Sequence, residues 1–422
     1  MPRYLIQKIL KIFAKRMIKK YHPFVIAVTG SVGKSGAKEA IKHILQKHFV
    51  VAANYGNYNN EIGVPLTILG IQDVGKNFFS WSKILWRAFR RTCGKIDYPK
   101  ILIIEMGTSH PGDLDYLLSI VKPDIGVLTA VGPSHLEYFG TTEKVFEEKR
   151  RIIDVLPSQG WAILNIDDEW ISSLIKKIKT RIITFSLDHT ADLKATEVTP
   201  FSFEEYGKGI RLKIRYQGNV IPVSLSRLIS QHQVYAVLAA FGVGLALDLK
   251  ILDMVSDVHD YQGLPGRMSL IQGKKQTFII DDTYNASPKS VLEAISFFQK
   301  LSKKSQAKKW LVLADMKELG KKSVELHQEV GSAVAGSSID CLITYGQMAE
   351  KISAETALKI GVKDSMMIKH FADQKTLVSF LADNISSDDI ILIKGSRGMH
   401  MENVVKGLML EPEKAKSLLV HG

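Results

Sequence analysis

The chain has 422 residues, 45% of them apolar and 23% charged, with a mean hydropathy near zero. That length exceeds what one hydrophobic core serves well, so two or three globular domains are expected and a disordered chain is excluded. The net charge of +13 points to anionic partners such as nucleotides, sugar phosphates or acidic lipid, while no RNP aromatic motif or zinc-finger spacing supports nucleic acid.

Cys93 and Cys341 form no CxxC pair, which excludes a disulfide framework and a structural zinc site and fits a reducing cytoplasm. Residues 4–20 place Leu5, Ile9, Phe13 and Met17, with Ile6, Leu10 and Ile12, on one helical face, and Lys8, Lys11, Lys15 and Lys19 on the other. This basic amphipathic helix, within a segment 1–22, either packs on the domain behind it or contacts an anionic membrane surface. Its interleaved basic and apolar residues do not make a signal peptide.

From Phe24 onward, FVIAVTG, ILIIEMG, IGVLTAVG and WAILNID alternate with helix-length stretches, the pattern of a mostly parallel α/β sheet. Between them, residues 78–91 set Phe78, Trp81, Leu85 and Phe89 against Lys83, Arg87 and Arg90, a second basic helix read as a packing element, a substrate wall or a membrane contact. Residues 184–226 alternate like antiparallel strands. The uncharged stretch Leu228–Leu247 has too few apolar positions for a bilayer span and reads as a buried helix. Leu264, Pro265 and Gly266 make a hinge. A second series, TFIIDD, KKWLVLADM, CLITYG, SMMIKHF and DIILIKG, starts near Thr277. The expected fold is therefore α/β: a central, mostly parallel P-loop-type ATP-binding sheet domain at 23–272 and a smaller, doubly wound Rossmann-like domain at 273–422.

Three constellations carry chemistry. Thr29-Gly30-Ser31-Val32-Gly33-Lys34-Ser35 lies between an apolar strand and a helix. There glycines let backbone N–H groups face phosphates, Lys34 neutralises them and the Ser35 hydroxyl can ligate Mg²⁺. Val28 stands where the P-loop pattern has its first glycine, so a purely structural glycine turn is the other reading. Glu105 ends a very apolar strand, where it either holds Mg²⁺ or faces solvent as an edge carboxylate. His135, in GPSHLEYFG, and Lys149, in EEKRR, are by themselves a loop histidine and a solvated lysine.

GSVGKS, NYGNYNNEIGVPLTIL, EMGTSHPGDLDYL, GPSHLEYFGTTEKVFEEK, LPGRM, DDTYNASPKSV, ADMKELGKKSVELHQEVG and KGSRGMHME occur in this order. Together they resemble the Mur ligases over about residues 24–410, and within that family the type that adds D-alanyl-D-alanine. The resemblance implies that Lys34 and the amides of Gly30, Ser31, Val32 and Gly33 hold the ATP phosphates, with Asn59 or Asn60 nearby. Ser35 and Glu105 would ligate one Mg²⁺ and His135 a second, supported by Lys149 carbamylated by CO₂. Arg267 would reach the γ-phosphate. Asp282, Tyr284 and Asn285 would line the nucleotide, and Lys394, Ser396 and Arg397 would recognise an incoming carboxylate. Lys34, His135, Lys149 and Arg267 are thus the expected catalytic groups.

The implied reaction is ATP-dependent amide-bond formation through an acyl phosphate in peptidoglycan biosynthesis, joining D-alanyl-D-alanine to a nucleotide-sugar peptide precursor, by a cytoplasmic monomer whose hinge closes over the site. Two departures stand out. Relatives of this type open with a separate domain for the UDP-sugar end, whereas here the phosphate loop starts at Gly30, so the acceptor is expected to be held differently or to be different. In SQHQVYAVLAA, Gln233 and Ala236 replace asparagines of the family pattern, and alanine cannot contact adenine through hydrogen bonds. A related ligase acting on another acid or amine, and a non-catalytic nucleotide-binding descendant, remain as alternatives.

Overall fold

Aliphatic runs without a polar side suit strands covered on both faces, and they become the central strands of two sheets. The computed structural model describes residues 3–56, 58–72, 75, 77–199, 209–360 and 366–420. Among them the first sheet contains β1 Phe24–Thr29, β2 Val51–Ala53, β3 Ile101–Glu105, β4 Ile125–Leu128, β5 Trp161–Asn165, β6 Arg181–Ser186, β7 Leu193–Thr199, β8 Ile210–Tyr216 and β9 Asn219–Leu225, in the order β2-β3-β1-β4-β5-β6-β7-β8-β9. Pairing is parallel from β2 through β7 and antiparallel between β7 and β8. The antiparallel character expected for 184–226 is thus confined to the β7–β9 end. The chain builds from β1 to one side through β3 and β2, then to the other through β4 and β5. The strand ends flanking β1 are therefore the crevice at which such sheets take ligands.

Seven helices of this sheet matter here: α1 Arg3–Tyr21, α2 Lys34–Leu45, α3 Gly63–Ile68, α4 Phe78–Cys93, α5 Asp113–Leu118, α6 Leu136–Phe139 and α7 Thr142–Asp154. α1 is a packed helix, as its first reading had it, with Ile6, Leu10, Ala14 and Met17 buried in one core with Val64 and Leu66 of α3 and Ile84 and Ala88 of α4. Its face is turned from the expected one, leaving Leu5 and Ile12 44% and 52% exposed. α4 departs further. Ile84 and Ala88 face inward while Phe89, expected on the buried side with Trp81 and Leu85, is 51% exposed; the side chain of Phe78 lies outside the described residues. The apolar residues of this helix cover a wide arc opposite its basic side, so periodicity allows several buried faces, and packing selects the one that small Ala88 lets approach closely.

The uncharged stretch forms a helix, Gln231–Ala246, with Val234, Val237, Leu238, Ala239, Ala240, Phe241 and Val243 fully buried. No helix among the described residues is long and apolar enough to cross a membrane.

The second sheet contains β10 Ser269–Gln272, β11 Phe278–Asp282, β12 Lys309–Ala314, β13 Cys341–Tyr345, β14 Met367–Phe371 and β15 Ile390–Lys394, in the order β10-β11-β15-β12-β13-β14. The last five are the five runs read from the sequence, all parallel; β10 is an added antiparallel edge. Apolar side chains cover both faces, as a parallel sheet requires. The two sheets belong to two compact units, the second running from residue 262 onward with short contributions from residues 209–210 and 225–230 among those described.

The burial of α1 is testable. Leu10→Ala should cost about 2–5 kcal/mol and Ile12→Ala less than about 0.5 kcal/mol, read from denaturant midpoints at unchanged slope. Equal small effects would mean that α1 is not part of the core.

Candidate active site

β1 ends at Thr29 and the chain turns at once, with φ of 152° at Gly30 and 86° at Gly33. A Cβ on Gly30 would lie 2.1 Å from Thr129 Oγ1 and 2.9 Å from the Ala130 carbonyl oxygen, so the close approach of the loop after β4 demands glycine there. Val28 is fully buried strand, in register with Glu105 of β3 and Val127 of β4, which is why no glycine stands at that position. The two loops are laced together. Ser31 N–H donates to Ala130 O (2.6 Å), Gly132 N–H donates to Ser31 Oγ (3.1 Å), and the Ser31 and Ser134 hydroxyls lie 3.0 Å apart. Gly33 begins α2 without a side-chain cap, leaving first-turn amides for an anion, and Lys34 Nζ curls back to Gly30 O (2.8 Å) and Ser31 O (3.3 Å).

Glu105 is not the solvent-facing edge carboxylate of its alternative reading. It is 1% exposed; Oε1 accepts from Asn59 Nδ2 at 2.8 Å, and Oε2 is buried without a hydrogen bond, 3.9 Å from Lys38 Nζ. A buried carboxylate oxygen with so distant a counter-charge is an acceptor lacking a close cation, and it lies where β3 ends beside the phosphate loop: Thr29 Oγ1 donates to Met106 O at 2.8 Å. Carboxylate, hydroxyl and phosphate oxygens are the donors Mg²⁺ prefers, so Glu105 and Ser35 fit that ion. Asn59 and Asn60 separate by role. Asn59 touches Glu105, whereas Asn60 Oδ1 accepts the N–H groups of Ile62 and Gly63 at the start of α3. Lys38, one turn after Lys34, was missed in the sequence; it is buried and donates to Asn54 O at 2.9 Å, while Asn54 Oδ1 accepts Glu105 N–H.

Lys149, on α7, is 2% exposed and donates to Thr108 Oγ1 at 2.9 Å. Burial lowers its pKa to about 7, with the Lys34 charge adding to the fall and Glu148 opposing it. Adjacent Glu148 is committed elsewhere, accepting the N–H groups of Gly112 and Leu114 at the start of α5. His135 opens α6 with φ 52° and ψ 34°, a strained conformation for a residue with a Cβ. Its pKa is lowered by desolvation, then by Lys149, Lys34 and His110, which together outweigh Asp113. The Lys34 charge thus bears on both Lys149 and His135, and Lys149 bears on His135 as well. An amine with a substantial unprotonated fraction near pH 7 can add CO₂, and the resulting carbamate would supply an anionic oxygen ligand.

In the second unit Asp281 is fully buried, and burial pushes its pKa up to about 6 against hydrogen bonds from Thr283. It accepts Thr283 N–H (3.1 Å), Thr283 Oγ1–H (2.6 Å) and Gly266 N–H (3.1 Å), and so ties the LPGRM turn to the DDTYN loop. Arg267, exposed, consequently stacks 4.2 Å from the Tyr284 ring centroid. Lys394 is buried in an ion pair with Asp282 (2.6 Å) and also donates to Asn285 O (3.0 Å), so its charge is already matched. Ser396 Oγ donates to Ala286 O and accepts Lys317 N–H. Arg397 lies 3.0 Å from Glu402, yet both its terminal nitrogens are buried without a hydrogen bond, which leaves it the better anion receptor of the trio. His327, inside the ADMKELG…LHQ motif, was also missed; its Nε2 accepts Met316 N–H and it holds the loop after β12.

A glycine phosphate loop at the reversal point of a parallel sheet places the chain among the α/β nucleotide-binding proteins. The Mur ligase middle domain family model matches residues 28–244, and that of the Mur ligase, glutamate ligase domain matches 266–397. The UDP-N-acetylmuramoyl-tripeptide–D-alanyl-D-alanine ligase of Bacillus subtilis (strain 168) is 31% identical over 403 residues, 96% of this chain and 79% of that relative. The ligase of the same name from Escherichia coli (strain K12) is 29% identical over 91% of this chain and 76% of its own. Among solved structures, MurF from Acinetobacter baumannii superposes with a TM-score of 0.75 at 26% identity over 94% of this chain and 79% of its own. The MurF ligase of Thermotoga maritima in complex with ADP gives 0.73 at 25% over 99% and 86%. The chain belongs to the Mur ligase family, as its ordered motifs indicate.

Two outcomes test the loop and the buried amine. Gly30→Ala should push the loop after β4 away and lower the thermal midpoint, whereas Lys34→Ala should keep the midpoint and weaken ADP binding by at least about tenfold in a calorimetric titration, a loss of about 1.4 kcal/mol; unchanged affinity in Lys34→Ala would mean that the loop does not hold phosphate. Between about pH 7 and the ordinary lysine range the folded chain binds fewer protons at Lys149 than the unfolded chain, so this amine makes stability rise with pH across that window. In bicarbonate-free buffer, Lys149→Met should flatten that rise and hold or raise the thermal midpoint near pH 7, whereas a marked drop would give the amine a structural role instead.

Proposed function

We propose that this Mur ligase joins D-alanyl-D-alanine to the peptide carboxylate of a UDP-N-acetylmuramoyl-tripeptide, converting ATP to ADP and phosphate, in peptidoglycan synthesis. The observation that carries ATP-dependent activation is that Lys34 acts on both His135 and Lys149, with the buried, half-satisfied carboxylate of Glu105 at the end of β3, the strand paired to β1. The choice of substrates rests on the names of the relatives and on the match over nearly the whole chain. The protein acts as a cytoplasmic monomer in this reading.

The chemistry follows from charge. The amides of Gly30, Val32 and Gly33 and the Lys34 ammonium hold the β- and γ-phosphates, the Ser31 N–H being committed to Ala130 O, and Lys34 exchanges its bonds to Gly30 and Ser31 for phosphate oxygens. The acceptor carboxylate displaces ADP from the γ-phosphorus, giving an acyl phosphate. The dipeptide amine then attacks the acyl carbon, losing a proton, and phosphate leaves. Two Mg²⁺, held by Ser35 and Glu105 and by His135 and the Lys149 carbamate, would neutralise the phosphates as charge shifts to the leaving oxygen. Arg267 supplies further positive charge to the γ-phosphate, with Asp282, Tyr284 and Asn285 lining the nucleotide. Of the groups proposed for the incoming carboxylate, Arg397 binds it, while Lys394 and Ser396 hold the loop that presents Arg397.

Phosphate release from ATP with Mg²⁺ and bicarbonate should require both UDP-N-acetylmuramoyl-tripeptide and D-alanyl-D-alanine and yield a product heavier by the dipeptide. Release that needs neither, or that is supported only by another acid or amine, would overturn the substrate assignment. Lys149→Ala should lose activity by at least ~100-fold, the scale of a removed metal-supporting group, and regain part of it with a short carboxylic acid. Full activity without the acid would remove the carbamate.

A further inference from the structure

The outward faces of α1 and α4 take no part in this chemistry. The two helices lie side by side and run the same way: Phe13 and Phe89 rings are 6.4 Å apart, and Lys20 Nζ reaches Thr92 O at 3.0 Å and Gly94 O at 2.6 Å at their C-terminal ends. Inward they bury Ile6, Leu10, Ala14 and Met17 against Ile84 and Ala88. Outward, α1 shows Tyr4, Leu5 and Ile12, and α4 shows Phe79, Trp86 and Phe89, exposed by 44–82%. About a third of the strongly exposed large apolar side chains among the described residues therefore sit on these two helices.

Charge is concentrated there as well. α1 carries seven Lys and Arg and α4 four, with no Asp or Glu in either, against +13 for the whole chain. Lys8, Lys15 and Lys19 of α1 and Lys83 and Arg90 of α4 are exposed. Lys8 lies 4.4 Å from the Tyr4 ring centroid, and the Arg90 guanidinium 4.9 Å from that of Trp86. A stable protein interface depletes lysine from its centre, and a free anion has no use for exposed Phe and Trp. Aromatic rings interleaved with cations match the one environment that is oily below and anionic above.

We propose that the outer face of α1 and α4 docks the protein on the anionic surface of a lipid bilayer. Leu5, Ile12, Phe79 and Trp86 seat at the boundary of headgroups and acyl chains, and Lys8, Lys15, Lys19, Lys83 and Arg90 meet lipid phosphates. Neither helix spans the bilayer; both lie along it. The inference stands apart from the choice of ligase substrates.

The test uses the full chain with phosphatidylcholine vesicles, with and without a substantial fraction of phosphatidylglycerol. Co-sedimentation should require the anionic lipid and weaken with salt. Lys8→Glu combined with Lys83→Glu and Arg90→Glu should lower partitioning by at least about tenfold, and Phe79→Ser with Trp86→Ser by a similar factor, with the thermal midpoint of each variant near that of the parent. Lipids brominated in their chains should quench tryptophan fluorescence in the parent and not in Trp86→Phe. Equal binding to neutral vesicles, no binding to either, binding indifferent to the aromatic pair, or lipid-independent self-association abolished by the same substitutions would each overturn the proposal; the last would make the face a contact between copies.

Discussion

The Lys34 charge beside two bases whose charged forms burial already disfavours is the constraint on which the rest of the site depends. Lys34 comes from the turn after β1, His135 from the segment beyond β4 and Lys149 from the inward face of α7; Lys34 disfavours the charged form of both others, and Lys149 that of His135. The arrangement persists because the scaffold is stiff. Parallel pairing of β3, β1 and β4 sets the loop positions, Ser31 and Thr129 stitch the loops, and Glu148 is spent on the start of α5, so it is held away from its neighbouring lysine. In the proposed reaction, phosphates and a carbamate would supply the negative charge that favours the cationic forms here.

Much of the architecture was legible from the chain alone because the strands are aliphatic runs of four to six residues closed by glycine or polar turns. The runs at FVIAVT, ILIIE, IGVL and WAILN, and the five of the C-terminal series, are all strands. β10 was not legible. Ser-Leu-Ile-Gln is short and half polar, and it is a strand because β11 offers an edge. The buried side of α1 was misjudged for a related reason: when apolar residues lie around most of a helix, its neighbours choose the face.

At the site, residue types and their order pointed to the family, while the division of labour needed tertiary contacts. No spacing argument separates Asn59, against Glu105, from Asn60, which caps a turn. Lys38 and Asp281 look like ordinary charged residues in sequence. Only burial shows that the first sits behind the Glu105 carboxylate and that the second binds two loops together. Lys394 reads as a free cation until Asp282 is found beside it.

The curl of Lys34 over Gly30 and Ser31 also bears on how the loop meets its ligand. Its ammonium is held in place before any phosphate arrives, by two carbonyl oxygens of the same turn, and the turn is fixed by Thr129. In the proposed reaction, recognition there would be an exchange of oxygen partners on a surface that is already ordered, so little conformational entropy would remain to be lost. Selectivity would then come from how much charge an incoming oxygen carries, which would rank a phosphate above a neutral hydroxyl.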